Sequence, residues 1–388
     1  MVIGSKELIR DMNSKLVLET IMNTNAISRA AISKQLGLTK ATISAIVSDL
    51  INAKLVIEIG SDDTLLGRKP ILLSFNKKAG YAISIDIGLD MLSALATDLQ
   101  GDNKSFKQLQ TPKDTELVDT LIKLIESIEN EQADMPYGLI GITLGIHGVT
   151  NHNKVIFTPY YDLSKMDLEE KLSSYFSVPV YLDNEANLSA LGELSYLSNQ
   201  YSNIANISIH SGVGLGLIID HKLYTGFSGY AGEFGHTIVE IDGRECPCGN
   251  KGCLEQYTSE RSLLKEYALA TNQASVNFQT FAKDYRLKSP AALQVGQNFV
   301  KYMAVCINNL LNSYNPEVVI INSAFTMEFP EFTKLIYDSL RSKMNDKVPI
   351  VNSLLKDNSI LIGGICVAVK NFLGIDKISF LSEYDYQR

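Results

Sequence analysis

The chain has 388 residues, 45% of them hydrophobic and 20% charged, with a net charge of −8 and five cysteines. This length exceeds what one core usually supports, so two or three domains are expected, and the composition excludes both a disordered chain and an apolar run long enough to span a membrane. Charge is split, with 11 Lys and Arg against 7 Asp and Glu in residues 1–78 and 24 against 36 in the rest, so a basic head compatible with a phosphate backbone precedes an acidic body that one would repel.

The opening MVIGSKELIRDMN has no apolar signal core, which points to a cytoplasmic chain. A first helix is predicted over 14–23, with Leu16, Val17, Thr20 and Ile21 as its apolar stripe. Ser28 caps a short second helix that runs to Leu36, Gly37 turns the chain, and Thr39 caps a third. In the third helix Ile43, Ile46, Val47 and Leu50 form one buried face, which leaves Lys40, Ala41, Ser44, Ala45 and Ser48 on the other. Small and polar side chains there suit a helix whose first turn enters a major groove about 12 Å wide. Strands over 55–59 and 70–75, joined by a turn over 60–67, complete a winged helix-turn-helix. The candidate DNA contacts are Ser28 and Arg29 on the second helix and Lys40, Ala41, Thr42 and Ser44 on the third. Arg68 and Lys69 join them at the base of the wing, placed for phosphate or the minor groove.

An α/β rhythm follows. A strand over 81–87 runs into Gly88, a second covers 91–98 with Gly101 marking the next hairpin, and a helix over 116–130 precedes a strand over 139–144 that ends in Gly145 and Gly148. Glycines directly after buried strands mark close backbone approach or a ligand at the carboxyl edge of a sheet, with tight turns alone as the alternative. The stretch 204–210 followed by SGVGLGLII repeats the strand-glycine-strand pattern, so two similar lobes are expected, braced by late helices over 291–312 and 364–372. The expected division is 1–78 as the DNA-binding head, 79–195 as a first α/β lobe, and 196–388 as a second lobe with its C-terminal helix packing back on the first.

The spacing His236-x9-Cys246-x-Cys248-x4-Cys253 gathers one imidazole and three thiols into a Gly-rich stretch, CPCGNKGC. A set of four such donors closes tetrahedrally on zinc and leaves no open position for activated water, so the expected role is structural; a free thiol set or an empty loop is the alternative. Cys306 and Cys366 lie in apolar surroundings and read as small buried hydrophobes rather than a disulfide.

Taken in order, ISRAAISKQLGLTKATISAIVSDL, GRKPILLSFNKKAGYAISIDIG, YLDNEANLSALGE, GLIIDHKLYTGFSGYAGEFGH and CPCGNKGCLE give the chain a resemblance over nearly its full length. It resembles the ROK family (repressors, open reading frames and sugar kinases) and, within it, the xylose repressors. The resemblance implies an actin- and hexokinase-like, ribonuclease H-like fold of two α/β lobes with a sugar in the cleft. It also implies palindromic operator DNA as partner, D-xylose as the leading effector, and a homodimer or a dimer of dimers. Sugars are read by carboxylates and amides that exchange hydrogen bonds with vicinal hydroxyls. By resemblance the sugar-contacting positions are Asn184, Glu185, Glu233, His236 and Glu255, with His236 giving one ring nitrogen to the sugar and the other to zinc.

Relatives that phosphorylate sugars set the competing expectation, and several residues depart from theirs. Their general base is an Asp where this chain has Glu185, one methylene longer, which moves a proton acceptor by about an ångström in a step sensitive to that distance. Their DxGGT loop is here Asp86-Ile87-Gly88-Leu89-Asp90, in which Asp90 replaces a hydroxyl with a carboxylate that repels triphosphate. His210 and Ser211 stand where Gly-Thr is usual, and IINSAFTM lacks the glycine pair of the adenosine region. The reading is a sugar-responsive repressor that is not an enzyme; a sugar kinase, or a repressor that answers to glucose or another sugar, is the alternative. His147, in the position of a Pro in many relatives, reads either as an ordinary strand-end residue or as a group that approaches the sugar or zinc side of the cleft, and is left outside the site.

Overall fold

The computed structural model describes residues 6–61, 71–159, 162–197, 200–343 and 348–380. The head opens with α1 (Lys6–Met22), β1 (Ile27–Ser28), α2 (Arg29–Leu36) and α3 (Lys40–Asn52), followed by β2 (Val56–Ser61) and β3 (Ile71–Phe75). Ser28 and Thr39 cap α2 and α3, their hydroxyls accepting from the N–H groups of Ala31 and Thr42. The three short strands pair in the order β1-β3-β2, all antiparallel, under a core of Val17, Ile21, Ile32, Ile43, Val47 and Leu73. One expectation is corrected here. Helix α1 starts at Lys6 rather than at residue 14, and Leu16 is 47% exposed; the buried stripe is Val17, Leu18, Ile21 and Met22, one residue further round the helix.

The body continues with β4 (Tyr81–Ile87), β5 (Met91–Asp98), β6 (Ser105–Gln110), α4 (Leu117–Glu129), β7 (Leu139–Ile146), β8 (Val149–Asn151), β9 (Lys154–Phe157), α5 (Leu168–Phe176) and β10 (Val180–Asn184). Helix α6 (Glu185–Leu197) leads to β11 (Ile204–Ile209), β12 (Val213–Ile219) and β13 (Lys222–Leu223). Then come α7 (Glu255–Thr258), α8 (Glu260–Ala270), α9 (Phe278–Arg286), α10 (Pro290–Tyr314), β14 (Val318–Ser323), α11 (Ala324–Glu328), α12 (Glu331–Ser339), β15 (Ile350–Asn352) and α13 (Ser359–Leu373).

The chain divides into two compact units, one of Met1–Asp183, Ser195–Asn199 and Leu361–Arg388, the other of Asn184–Leu194 and Gln200–Ile360. In the first, the sheet order is β10-β7-β4-β5-β6, with β4 parallel to β7 and antiparallel to β5. Apolar residues of α4 at helical spacing, Leu117, Leu121, Leu124, Ile125 and Ile128, pack on Ile83, Ile85, Ile142 and Leu144. In the second unit the order is β13-β12-β11-β14-β15, with β11 parallel to β14 and antiparallel to β12. Its core is aromatic, with Phe281, Phe299, Phe325 and Phe332 fully buried against one another and against the sheet. Truncating one of these to Ala costs about 3–5 kcal/mol. Among the described residues no helix is long and apolar enough to cross a membrane.

Candidate sugar and metal site

The site is built on β12. Its glycines make room: a Cβ at Gly214 would stand 2.7 Å from that of Ala186, and one at Gly216 would stand 2.4 Å from the carbonyl oxygen of Ala186, so α6 lies against the strand with no side chain between. The VGLGL stretch therefore serves helix packing. From the other side, the segment bearing Glu233 and His236 is pressed onto the same strand. Gly232 has φ +96°, a Cβ there would run into the Leu215 carbonyl oxygen, and the Leu215 N–H donates to the Gly232 carbonyl at 3.0 Å.

Four of the five expected sugar residues gather near the start of β12. Glu185 Oε1 lies 3.3 Å from where a Gly214 Cβ would be, and Glu255 Oε2 accepts from the Val213 N–H at 3.3 Å. Glu233 stands 3.8 Å from His236 Nε2. Burial pushes the Glu233 carboxyl above the usual carboxylate range, the Glu255 charge adds to this, and His236 opposes it. Asn184 has a second task. Its Oδ1 accepts from the N–H groups of Ala186 and Asn187 at 2.8 and 3.1 Å, which caps α6, and its Nδ2 donates to Glu185 Oε2 at 2.7 Å.

The four metal-donor atoms of His236, Cys246, Cys248 and Cys253 all lie within 4.8 Å of one another. Cys246 Sγ is 3.6 Å from His236 Nδ1 and Cys248 Sγ is 3.6 Å from Cys253 Sγ. Tetrahedral zinc with Zn–S about 2.3 Å requires donor separations of roughly 3.5–3.8 Å, so the donor set fits that ion. His236 turns Nδ1 to the thiols and Nε2 to Glu233. Gln256 Nε2 donates to Cys246 Sγ at 3.6 Å, a hydrogen bond of the kind that orients a ligating sulfur. Burial pushes the Cys253 thiol up to about 12. Cys306 and Cys366 are free and buried.

Sequence reasoning missed three groups. His147 Nε2 pairs with Asp86 Oδ1 at 2.8 Å at the carboxyl ends of the adjacent parallel strands β7 and β4. Glu260, capped against the N–H of Ala324 and raised by burial and by Asp357, places an acid at the start of α11. Glu193 in α6 is fully buried; it accepts a short hydrogen bond from Ser353 Oγ at 2.5 Å, and burial pushes it up to about 7. Asp86 was read only as part of an altered phosphate loop, and only the fold brings the partners of these groups near.

In the head, Lys40, Ala41 and Ser44 are exposed on α3 and Thr42 is half-buried, its hydroxyl 2.9 Å from that of Thr39. Ser28 is occupied as the α2 cap, and Arg29 is paired with Glu58 at 2.9 Å. Arg68 and Lys69 lie outside the described residues.

The ROK family model matches residues 82–370. A xylose repressor of Bacillus spizizenii is 36% identical over 97% of this chain and 100% of its own length. Among solved structures, a ROK family transcriptional regulator described as a homolog of the E. coli MLC protein has a TM-score of 0.79 at 24% identity, covering 94% of this chain and 96% of its own. A ROK family glucokinase from Streptomyces griseus, solved with glucose and AMPPNP, has a TM-score of 0.67 at 23% identity and covers 74% of this chain and 99% of its own. These two likenesses are of fold.

Proposed function

The chain belongs to the ROK family, and from that premise we propose that it is a transcriptional repressor whose hold on operator DNA is relieved by a monosaccharide, D-xylose. One observation carries the reading: the likeness to a xylose repressor runs the whole length, head and body together. Residues 1–78 act as the DNA-binding domain, 79–195 as the first lobe and 196–388 as the second, with Lys40, Ala41, Thr42 and Ser44 entering the major groove. Ser28, Arg29, Arg68 and Lys69 contact the backbone beside it.

Asn184, Glu185, Glu233, His236 and Glu255 hold the sugar hydroxyls, and Asn184 also sets the start of α6 beneath them. His236, Cys246, Cys248 and Cys253 hold zinc, which fixes the loop on which Glu233 and His236 sit and supplies rigidity rather than Lewis acidity. The working form is a homodimer that presents two α3 helices to a palindrome. Sugar occupancy changes their separation or tilt, and a coupling of ~2 kcal/mol lowers operator affinity roughly thirtyfold. Kinase chemistry is disfavoured by Glu185 in place of a shorter acid, by Asp86 held on His147, and by Glu260 at the start of α11.

The test is duplex DNA selected by the chain from a random pool, then titrated with xylose, glucose and other aldoses while sugar binding is read by calorimetry. Release by xylose is expected. Retention of no duplex, or release by no sugar, sinks the reading, and ATP-dependent formation of a sugar phosphate replaces it with a kinase.

A further inference from the structure

Helix α6 ends against a segment that the sugar site does not use. The last four carbonyls of a helix lack intrahelical partners, and in α6 the Ser195 carbonyl accepts from the Phe380 N–H at 2.9 Å. The Phe380 ring is 97% buried, edge-on to Tyr196 with centroids 6.1 Å apart and in contact with Gly101, whose Cβ, if present, would stand 3.2 Å away. Just before it, residues 374–379 run along the DNA-binding head. The Ser379 N–H donates to Asn23 Oδ1 at 3.1 Å and that of Lys377 to Glu19 Oε2 at 3.4 Å, while Ile375 and Ile378 are buried. The Lys15 stem covers Gly374, and Gln100, beside Gly101, donates to the Met22 carbonyl at 3.0 Å. Glu19, Met22 and Asn23 all belong to the end of α1 or the residue after it.

We propose that residues 374–380 are a strap that couples sugar occupancy to the pose of the reading head, an inference that rests on the repressor reading above. Helix α6 carries Glu185 in its first turn and Ser195 in its last, about 15 Å apart at 1.5 Å per residue. A helix transmits displacement along its axis because its hydrogen-bond ladder resists compression, whereas a loop of that length would absorb it. A shift of α6 on binding therefore reaches Phe380, and the next residue back, Ser379, and Lys377, three back, are the ones whose N–H groups hold the end of α1. The strap is held at both ends: Ile375, Ile378, Ser379 and Phe380 are buried, the Phe380 N–H is spent on α6, and those of Lys377 and Ser379 are spent on the head. Two arrangements of α6 thus give two arrangements of α1, which is the bistable element that coupling requires.

The test compares the full-length chain with Phe380→Ala and with Asn23→Ala, a half-exposed position where truncation leaves the core intact. D-xylose affinity is measured alone, and operator affinity with and without saturating sugar. Both variants should bind the sugar, and the operator without sugar, within about threefold of the parent, while the sugar-induced loss of operator affinity falls by about tenfold. If Phe380→Ala fails to fold, Asn23→Ala decides. Release that stays at the parent's value in the folded variants overturns the strap and leaves the repressor reading standing. A parent chain that no sugar releases from DNA overturns the repressor reading, and the strap with it.

Discussion

Strands β4 and β7 run parallel in the first five-stranded sheet as β11 and β14 do in the second, and in each an antiparallel neighbour, β5 or β12, flanks the first of the pair. The two plans agree and the chemistry at their edges does not. In the first sheet the polar groups Asp86 and His147 are closed on one another at 2.8 Å. In the second, Glu185, Glu233 and Glu255 crowd the start of β12, and Glu233 is raised by burial and by its acidic neighbour. A satisfied pair has little left to give a ligand, whereas carboxylates held together at a cost in desolvation and repulsion gain from any hydroxyl donor that replaces water. The repeated fold thus supplies two similar edges that differ in their side chains, and the proposed sugar site stands at the second.

The contrast can be broken most severely at the metal ligands. Structural zinc contributes on the order of 10 kcal/mol to the folding of small domains, so Cys253→Ser should remove the ion, by elemental analysis, and weaken sugar binding at least about tenfold. Sugar-free operator binding should persist, and sugar affinity at the parent's level would separate the metal from the acid cluster. Next is Glu193, on α6 and bonded to Ser353. Its folded pKa of about 7 lies above the ordinary 4.5, so the folded chain holds the extra proton between those values and stability falls as pH rises through that window. Glu193→Gln should therefore be more stable than the parent above pH 7, by about 3 kcal/mol in denaturant unfolding, with the gap closing below about pH 5. A gap independent of pH would refute the assignment.

Glu233→Gln should cost about 2 kcal/mol of sugar affinity, roughly thirtyfold by calorimetry, without loss of fold. Affinity within twofold of the parent counts against the second edge as the site. The smallest effect is expected at the first edge, where His147→Ala frees Asp86 and should change sugar affinity by less than about 1 kcal/mol. A larger change there would mean that both edges read the ligand.

Local rules made the head legible. Ser28 and Thr39 announce their helices because capping is decided within three residues, and Ile43, Ile46, Val47 and Leu50 show the period of a buried face. The start of α1 was hidden because Leu8, Ile9, Met12 and Leu16 are apolar yet exposed, so hydrophobic period and burial part company there. The donor cluster was visible since three of its four ligands fall within eight residues. By contrast, Asp86 and His147 are 61 residues apart and meet only through strand pairing, and Glu193 reads as an ordinary helical acid until Ser353 is folded over it. The cap made by Asn184 shows the reverse limit: a residue chosen for ligand chemistry also holds up the helix on which its neighbour stands.

The first unit is discontinuous in the chain, closed only by Leu361 and the residues after it, about 180 positions beyond Asp183. At a synthesis rate of about 5–20 residues per second, its sheet waits roughly 10–35 s for α13 to emerge from the ribosome. During that interval the faces of Ser84 and Thr143, which α13 covers at Gly364, have no partner. A helix made long after the sheet it covers is thus the one that finishes the first unit, and yield in a cell should track how well chaperones guard that unit until then.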